Sequence, residues 1–241
     1  MDGIKVGVFG GTFNPVHRGH LHVAQGVQSL FGLSRVYFVV AATPPHKRPD
    51  EVTPLAHRYA MVCLATAREV SFVPSLAELE PEPSPYTIDT MKKMERLVPA
   101  GKGAGGADAP AASRLFFIAG GDSLLEVSSW REGGRLLDGY NFVFVARPGA
   151  TPMAFEKCLP AGVLGRVRDL TGLDRKRARS KIAAEPAGES RIYLVDAQAP
   201  DISATKIREL AAAKGGDRAM RKMLSPAVRD YIRKTNLYGG G

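Results

Sequence analysis

The chain has 241 residues, 44% of them hydrophobic, which excludes wholesale disorder and suits a single α/β domain. With only two cysteines, Cys63 and Cys158, a disulfide framework and a four-thiolate metal site are excluded as well. The formal net charge of +9 favours anionic partners but does not separate nucleic acids from small phosphorylated molecules. No apolar stretch approaches the roughly 20 residues that cross a bilayer, and the N-terminus lacks the pattern of a signal peptide. We therefore expect a cytoplasmic protein without a membrane partner.

The predicted elements alternate between strands and helices from the N-terminus onwards. Residues 4–9 form an apolar run that ends at Gly10-Gly11 and predicts a first buried strand. A helix over 21–31 follows, and Gly32 supplies its stop. Further strands are predicted at 36–41, 71–74, 115–119, 142–146 and 192–195. Further helices are predicted at 55–70, 87–97, 135–138, 203–213 and 225–234.

This alternation predicts a Rossmann-like, doubly wound α/β fold with a mainly parallel sheet and helices on both faces. Ligands of such sheets bind beyond the carboxyl ends of the strands, where the strand order switches. We expect one domain over 1–238, with a flexible Gly/Ala-rich loop at 99–113 and a disordered tail at 239–241. A basic insertion at about 166–191 is typical of a solvated face or a mobile loop.

The strongest motif is the stretch GGTFNPVHRGH at residues 10–20, directly after the first strand. It contains no Gly-x-Gly-x-x-Gly, which weakens a hydride-transfer interpretation. Paired glycines let backbone N–H groups approach a ligand closely, and a side chain at Gly19 would crowd a bound nucleotide. His17 and His20 are three residues apart, so at a helix N-terminus they face one side, where phosphate is favoured. Two histidines alone could be surface residues or half of a zinc site, but no cysteine or carboxylate lies at the spacing zinc requires.

A second motif, ISATKIR at residues 202–208, opens a helix after the last predicted strand. Ser203 is a natural N-cap, because its hydroxyl can accept from free amides of the first turn. The same helix end offers N–H groups to a triphosphate, and Arg208 adds a fork of donors. A serine cap followed by basic residues is common, so this motif alone is a weak indication of a triphosphate site. Together with the first motif it is a strong one.

Together the two motifs resemble those of the adenylyltransferase superfamily that carries His-x-Gly-His and Ile-Ser-x-Thr-x-x-Arg. Three further segments make the chain similar to the nicotinate mononucleotide adenylyltransferase family: PPHK at 44–47, SPYT at 84–87 and FIAGGDS at 117–123. Trp130, Arg147-Pro148-Gly149 and Tyr231-Ile232 also match this family in kind and order. The resemblance extends over nearly the whole chain.

The resemblance implies that ATP and nicotinate mononucleotide are the partners, that AMP is transferred by direct in-line attack, and that pyrophosphate leaves. Mg²⁺ is then held mainly by substrate phosphates, with no side-chain metal ligands. The catalytic residues implied are His17, His20 and Arg208. Those implied for ATP are Gly10, Gly11, Thr12, Phe13, Gly19, Asp122, Ser203 and Thr205, with Asp122 on a ribose hydroxyl. Those implied for the mononucleotide are His46, Lys47, Tyr86, Thr87 and Trp130, with the pyridine ring stacked on Trp130 and the carboxylate read by Thr87.

A phosphate beside the histidines should decide their charge. A free imidazole near pH 7 is only about a quarter protonated, and a helix N-terminus disfavours the cation by roughly 0.3–1 kcal/mol. A phosphate charge about 4 Å away favours it by up to roughly 4 kcal/mol at an effective dielectric near 20. We therefore expect at least one imidazolium when ATP is bound. The family usually has Asp where this chain has Asn14, and we expect this difference to alter the charge of the loop without abolishing activity.

Other functions remain open from the sequence. Nicotinamide mononucleotide differs from the nicotinate compound by one charge, and the reading groups cannot be placed finely enough to choose between them. A phosphopantetheine or polyol-phosphate nucleotidyltransferase would share the ATP motifs without requiring the three further segments. A class I aminoacyl-tRNA synthetase would need more residues than this chain has, and a basic nucleic-acid-binding protein would show interleaved aromatic residues. We expect no nucleic-acid partner, and the sequence leaves a homo-oligomer open.

Overall fold

The computed structural model describes residues 4–43, 48, 51–98, 115–146, 155–186, 188–196 and 199–239. Several predictions fall outside these residues: the segment 44–47 with His46 and Lys47, the loop at 99–113, the segment 147–149 and the last two residues of the tail.

The described residues form a seven-stranded, entirely parallel sheet in the order β3-β2-β1-β4-β5-β7-β6. The strands are β1 (Val6–Gly11), β2 (Arg35–Val40), β3 (Phe72–Ser75), β4 (Leu115–Gly120), β5 (Asn141–Ala146), β6 (Val167–Asp169) and β7 (Ile192–Asp196). From β1 the chain adds β2 and β3 on one side and then continues with β4 on the other. The strand order therefore switches between β1 and β4, which places a crevice at their carboxyl ends.

Helices connect the strands, as right-handed parallel crossovers require. They are α1 (Arg18–Phe31), α2 (Leu55–Thr66), α3 (Thr87–Leu97), α4 (Gly133–Gly139), α5 (Ala161–Leu164), α6 (Arg175–Ala183), α7 (Ala204–Ala212), α8 (Asp217–Met223) and α9 (Pro226–Lys234). Short 3₁₀ helices cover Gly121–Leu125, Val127–Ser129 and Phe155–Lys157. The predicted stop of α1 is confirmed, because Gly32 adopts a left-handed φ of 67° and donates its N–H to the carbonyl of Gln28.

Two apolar layers cover the two faces of the sheet, because neighbouring residues of a strand point to opposite sides. In β4, Phe116 belongs to the layer under α1, α2 and α9, and Phe117 belongs to the layer under α3 and α4. Both side chains are buried. The doubly wound α/β class predicted from the sequence is thus confirmed.

The basic segment at 166–191 is structured, which differs from the mobile loop that its composition allowed. It contributes the edge strand β6, which pairs in parallel with β7, and the helix α6, which packs on α1 through the buried Ala178. Acidic partners hold its arginines: Glu185 pairs with Arg168 and, at 2.8 Å, with Arg191. The alternative expectation, a solvated face, fits the exposed arginines and lysines of α6.

At the opposite edge of the sheet, β3 contains Pro74, which pairs in register with Phe38 of β2. The N–H of Val36 donates to the carbonyl of Ser71 at 2.8 Å, so alternate residues from Ser71 turn their peptide groups towards β2. Pro74 therefore stands at a position whose peptide nitrogen faces outwards. Within the described part of the chain, no helix is both long and apolar enough to cross a membrane.

Candidate functional site

The first motif (residues 10–20) leaves β1 at the switch point and leads into α1. His17 is the N-cap residue of α1, and its backbone N–H donates to Nδ1 of His20 at 3.2 Å. The two imidazoles stack with their centroids 3.7 Å apart. Phe13 meets the His20 ring edge to face at 5.1 Å. The helical spacing read from the sequence thus brings both rings to one place at the start of a helix.

The glycines of this motif make room mainly for other protein atoms. A Cβ at Gly19 would lie 3.0 Å from the His17 ring and 3.5 Å from the carbonyl oxygen of Pro200. A Cβ at Gly11 would lie 2.9 Å from the Phe13 ring, and one at Gly10 would lie 3.1 Å from the Phe117 ring. Glycine is therefore needed here to seat His17 and Phe13. The approach of a ligand, which the sequence predicts for these glycines, is a separate requirement and stays a prediction.

The second motif (residues 202–208) meets the first, although the two are almost two hundred residues apart. Ser203 caps α7, and its hydroxyl accepts from the N–H of Lys206 at 3.4 Å. The guanidinium of Arg208 donates to the carbonyl of Asn14 at 2.9 Å and to the hydroxyl of Thr205 at 3.2 Å. Arg208 is therefore bonded to the loop that leads to the histidine pair, so the two motifs are in contact.

A buried arginine that was not predicted from the sequence binds the loops next to the first motif. Arg58 of α2 is 1% exposed. Its guanidinium donates to four carbonyls: those of Thr53 at 2.8 Å, Thr12 at 2.9 Å, Ala41 at 2.7 Å and Ala42 at 3.3 Å. It thereby ties the loop after β1 to the loop after β2. A signal was present in the sequence, because Arg58, Met61 and Val62 share the helical spacing of a buried face.

Glu78 also binds the backbone of Ala42, the residue whose carbonyl accepts from Arg58. Its carboxylate accepts from the N–H of Ala42 at 2.8 Å, while Arg58 contacts the carbonyl of that residue. Burial raises the pKa of Glu78, and the charge of Arg58 acts in the opposite direction. Burial likewise lowers the pKa of Arg58, against the charge of Glu78. A buried guanidinium and a half-buried carboxylate thus hold the chain where it leaves β2.

The described residues predicted for the mononucleotide are Tyr86, Thr87 and Trp130, and they lie near Asp122, which is predicted for ATP. Trp130 is half-buried and packs edge to face on Phe117 at 6.0 Å. Tyr86 precedes α3 and is 42% exposed, with the guanidinium of Arg131 4.5 Å from its ring centroid. Thr87 is the first residue of α3, and Asp122 lies exposed in the 3₁₀ helix that follows β4. The structure brings these four residues to one edge of the sheet.

A cavity among the described residues lies away from these motifs. It has a volume of about 390 Å³ and lies between α1 and α6, against the ends of β5 and β7. None of the predicted site residues lines it. The described residues also contain no group of three His, Cys, Asp or Glu side chains that could hold a metal ion.

The electrostatic state of His17 leads to a testable prediction. The residue is 8% exposed, its Nδ1 is buried without a hydrogen-bond partner, and burial lowers its pKa from 6.5 to about 4. Between these pH values the unfolded chain binds a proton that the folded protein rejects. The free energy of unfolding should therefore fall on acidification from pH 6.5 to 4, by roughly 1.4 kcal/mol per pH unit from this group. A histidine NMR titration should give a midpoint near 4, and His17→Asn should remove this part of the pH dependence. A midpoint near 6.5 in the free protein would contradict the prediction.

Comparison with known proteins gives one consistent family. Residues 8–210 match the family described as Cytidylyltransferase-like. A protein of Thermoanaerobacter sp. (strain X514) named "Probable nicotinate-nucleotide adenylyltransferase" is 34% identical over 98% of this chain and 94% of its own length. A protein of the same name from Geotalea uraniireducens (strain Rf4) is 34% identical over 98% of both chains.

Solved structures show the same fold. The Plasmodium falciparum nicotinic acid mononucleotide adenylyltransferase complexed with NaAD superimposes with a TM-score of 0.67. The alignment covers 98% of this chain and 97% of that chain at 18% identity. The similarity therefore holds for the whole architecture described above.

Proposed function

Since the chain belongs to the Cytidylyltransferase-like family and, within it, to the nicotinate-nucleotide adenylyltransferases, we propose that it transfers AMP from ATP to nicotinate mononucleotide. The products are nicotinate adenine dinucleotide and pyrophosphate. The observation that carries this proposal is the hydrogen bond from Arg208 to the carbonyl of Asn14. It joins the two motifs that together would surround one triphosphate.

The chemistry requires positioning and charge stabilisation more than a nucleophile on the protein. The mononucleotide phosphate attacks the α-phosphorus of ATP in line, the bond to the β-phosphate oxygen breaks, and pyrophosphate leaves with the electron pair. His17, His20 and Arg208 would stabilise charge on the triphosphate as it develops. Ser203, Thr205 and the amides at the start of α7 would bind phosphate oxygens.

The burial of His17 bears on which imidazole becomes charged. A pKa lowered from 6.5 to about 4 corresponds to about 3.4 kcal/mol against the cation. A nearby phosphate returns up to roughly 4 kcal/mol at an effective dielectric near 20, so the two contributions nearly cancel at this residue. A phosphate beside His17 would thus offset most of the cost that burial imposes on its cation.

On the acceptor side, Trp130 would stack on the pyridine ring, and Thr87 would read its carboxylate. The half-buried indole of Trp130 packs against Phe117, which fixes the orientation of its ring for stacking. On the ATP side, Asp122, after β4, would bind a ribose hydroxyl. Tyr86 would border the same subsite, and Lys47 with His46 would hold the mononucleotide phosphate.

We further propose Mg²⁺ as the cofactor, held through substrate phosphates. The donors that converge in the two motifs are imidazoles, a guanidinium and hydroxyls, which suit phosphate oxygens, whereas Mg²⁺ takes carboxylate and phosphate oxygens. When bound, the ion supplies neutralisation of phosphate charge. A cytoplasmic location fits these substrates, and within the described residues neither Cys63 nor Cys158 forms a disulfide, as in a reducing compartment.

The proposal is tested by incubating the protein with ATP and Mg²⁺ plus nicotinate mononucleotide, nicotinamide mononucleotide or phosphopantetheine in separate reactions. Pyrophosphate release should be strong with the nicotinate compound and weak with the other two. Comparable release with the amide would reassign the pyridine substrate. Release with phosphopantetheine alone would contradict the proposed acceptor while leaving the adenylyl transfer intact.

A further inference from the structure

The C-terminal end of the chain reaches the first motif. The hydroxyl of Tyr238 donates to Oδ1 of Asn14 at 2.9 Å, across 224 positions of sequence. Asn14 is 3% exposed, and its Nδ2 donates to the carbonyl of Glu51 at 3.3 Å. Its own carbonyl accepts from Arg208. One buried residue beside the histidine pair is therefore joined to the C-terminus, to the segment before α2 and to α7.

The backbone at this contact is held in an uncommon conformation. Tyr238 and Asn236 have φ values of 65° and 50°, and Phe13, next to Asn14, has 47°. A left-handed conformation costs an L-residue roughly 1–2 kcal/mol and persists where the surroundings fix it. The segment is also tied to α9, because the N–H of Leu237 donates to the carbonyl of Ile232 at 3.0 Å. The end of the chain is therefore docked against the first motif.

The surroundings of the phenol determine the direction of the hydrogen bond. Burial raises the pKa of Tyr238, so its hydroxyl keeps its proton and donates to Asn14. Thr53 also bonds to this hydroxyl, and Arg58 and Arg208 lie close enough to act on it electrostatically. With Oδ1 occupied by the phenol, the amide nitrogen of Asn14 faces the Glu51 carbonyl. An aspartate would present an oxygen to that carbonyl, which gives a physical reason for the amide found here.

We propose that Tyr238 is a positioning residue of the ATP site. Acting through Asn14, it fixes the peptide that holds Arg208 and the turn that leads to His17. The inference rests on the proposed function, because it concerns the same site. A positioning residue differs from a purely structural anchor in one respect. Loss of the Tyr238 hydroxyl should weaken the binding of ATP and leave the binding of the mononucleotide unchanged.

The test compares two tyrosines near the C-terminus that make equally short hydrogen bonds. Tyr238→Phe removes the bond to Asn14, and Tyr231→Phe removes a 2.8 Å bond to Nδ1 of His57 in α2, away from both motifs. Titration calorimetry with ATP and Mg²⁺, without acceptor, measures binding and needs no turnover. We expect Tyr238→Phe to raise the Kd of ATP about fivefold, as loss of one hydrogen bond would. The Kd of nicotinate mononucleotide should change less than about twofold, and Tyr231→Phe should leave both constants near those of the parent protein.

A second comparison asks whether Tyr238 acts through Asn14. Asn14→Ala keeps the carbonyl that binds Arg208 and removes only the amide, so adding Tyr238→Phe to it should weaken ATP binding no further. An undiminished effect in that background would overturn the proposal, as would equal effects of the two tyrosine variants. If Asn14→Ala does not fold, the two tyrosine variants decide alone. Absence of pyrophosphate release from the parent protein would contradict the proposed function and leave the ATP-affinity comparison valid.

Discussion

Replacing His20 with alanine is expected to lower kcat for pyrophosphate release by about 10²- to 10³-fold, as removal of one group that stabilises transition-state charge does. In the structure Nδ1 of His20 accepts from the backbone N–H of His17, so the neutral ring carries its proton on Nε2. That nitrogen is then the donor that the ring brings to the site. Steady-state pyrophosphate release at saturating substrates measures the effect.

Two further variants separate chemistry from folding in this experiment. His20→Asn can keep an acceptor for the His17 N–H while it removes Nε2, so it should preserve stability and still lose turnover. His22→Ala alters an exposed histidine of the same helix, whose Nδ1 lies 2.7 Å from the carbonyl of Arg18, and should keep full activity. Turnover retained in His20→Asn would show that the transition-state charge is stabilised elsewhere.

Replacing Arg58 with methionine is expected to lower the free energy of unfolding by about 3 kcal/mol or more, because a buried carbonyl left without its donor costs roughly 1–3 kcal/mol. Four carbonyls lose their donor, and the half-buried Glu78 keeps its hydrogen bond from Ala42 but loses one of the two cations that act on it, Lys93 being the other. Urea denaturation followed by circular dichroism measures the change. A loss below about 1 kcal/mol would contradict the role assigned to this side chain.

Two further variants serve as controls for the stability loss expected of Arg58→Met. Arg68→Met alters an exposed arginine just after α2 and should change stability by less than about 0.5 kcal/mol. Adding Glu78→Gln to Arg58→Met removes a carboxylate that Lys93 alone then offsets, while an amide oxygen can still accept from Ala42. The double variant should therefore be more stable than Arg58→Met alone.

The sequence predicted the elements that carry a strong local pattern. The helix at 87–97 matches α3 residue for residue, and the end of α1 falls at the predicted Gly32. The strands at the centre of the sheet read as apolar runs because they are buried on both faces. Their predicted bounds differ from the observed ones by at most two residues at each end.

The elements missed by the sequence analysis lack such a pattern. β6 has three residues, two of them charged, and its pairing depends on β7. α6 buries only Ala178 in a run of arginines and lysines, and its place against α1 is set by tertiary packing. The sequence does not show which arginines of this segment form ion pairs and which are solvated. Their carboxylate partners, Glu185 and Asp138, lie 6 to 28 residues away along the chain.

The candidate site follows the same division. Its histidines, glycines and helix caps lie within short motifs. The spacing of His17 and His20 was enough to predict that their rings lie close together. Asn14 was singled out only as a departure from the usual aspartate, and its three contacts lie 37, 194 and 224 residues away. Such pairings depend on the folded chain, so a short motif does not contain them.

The proline in β3 has a consequence for how copies of this protein behave at high concentration. An exposed strand edge can recruit a strand from another molecule and so begin fibrous assembly. At the outward-facing position of Pro74 the ring has replaced the N–H that an incoming strand would need. Pro74 thus disfavours edge-to-edge polymerisation along this rim of the protein.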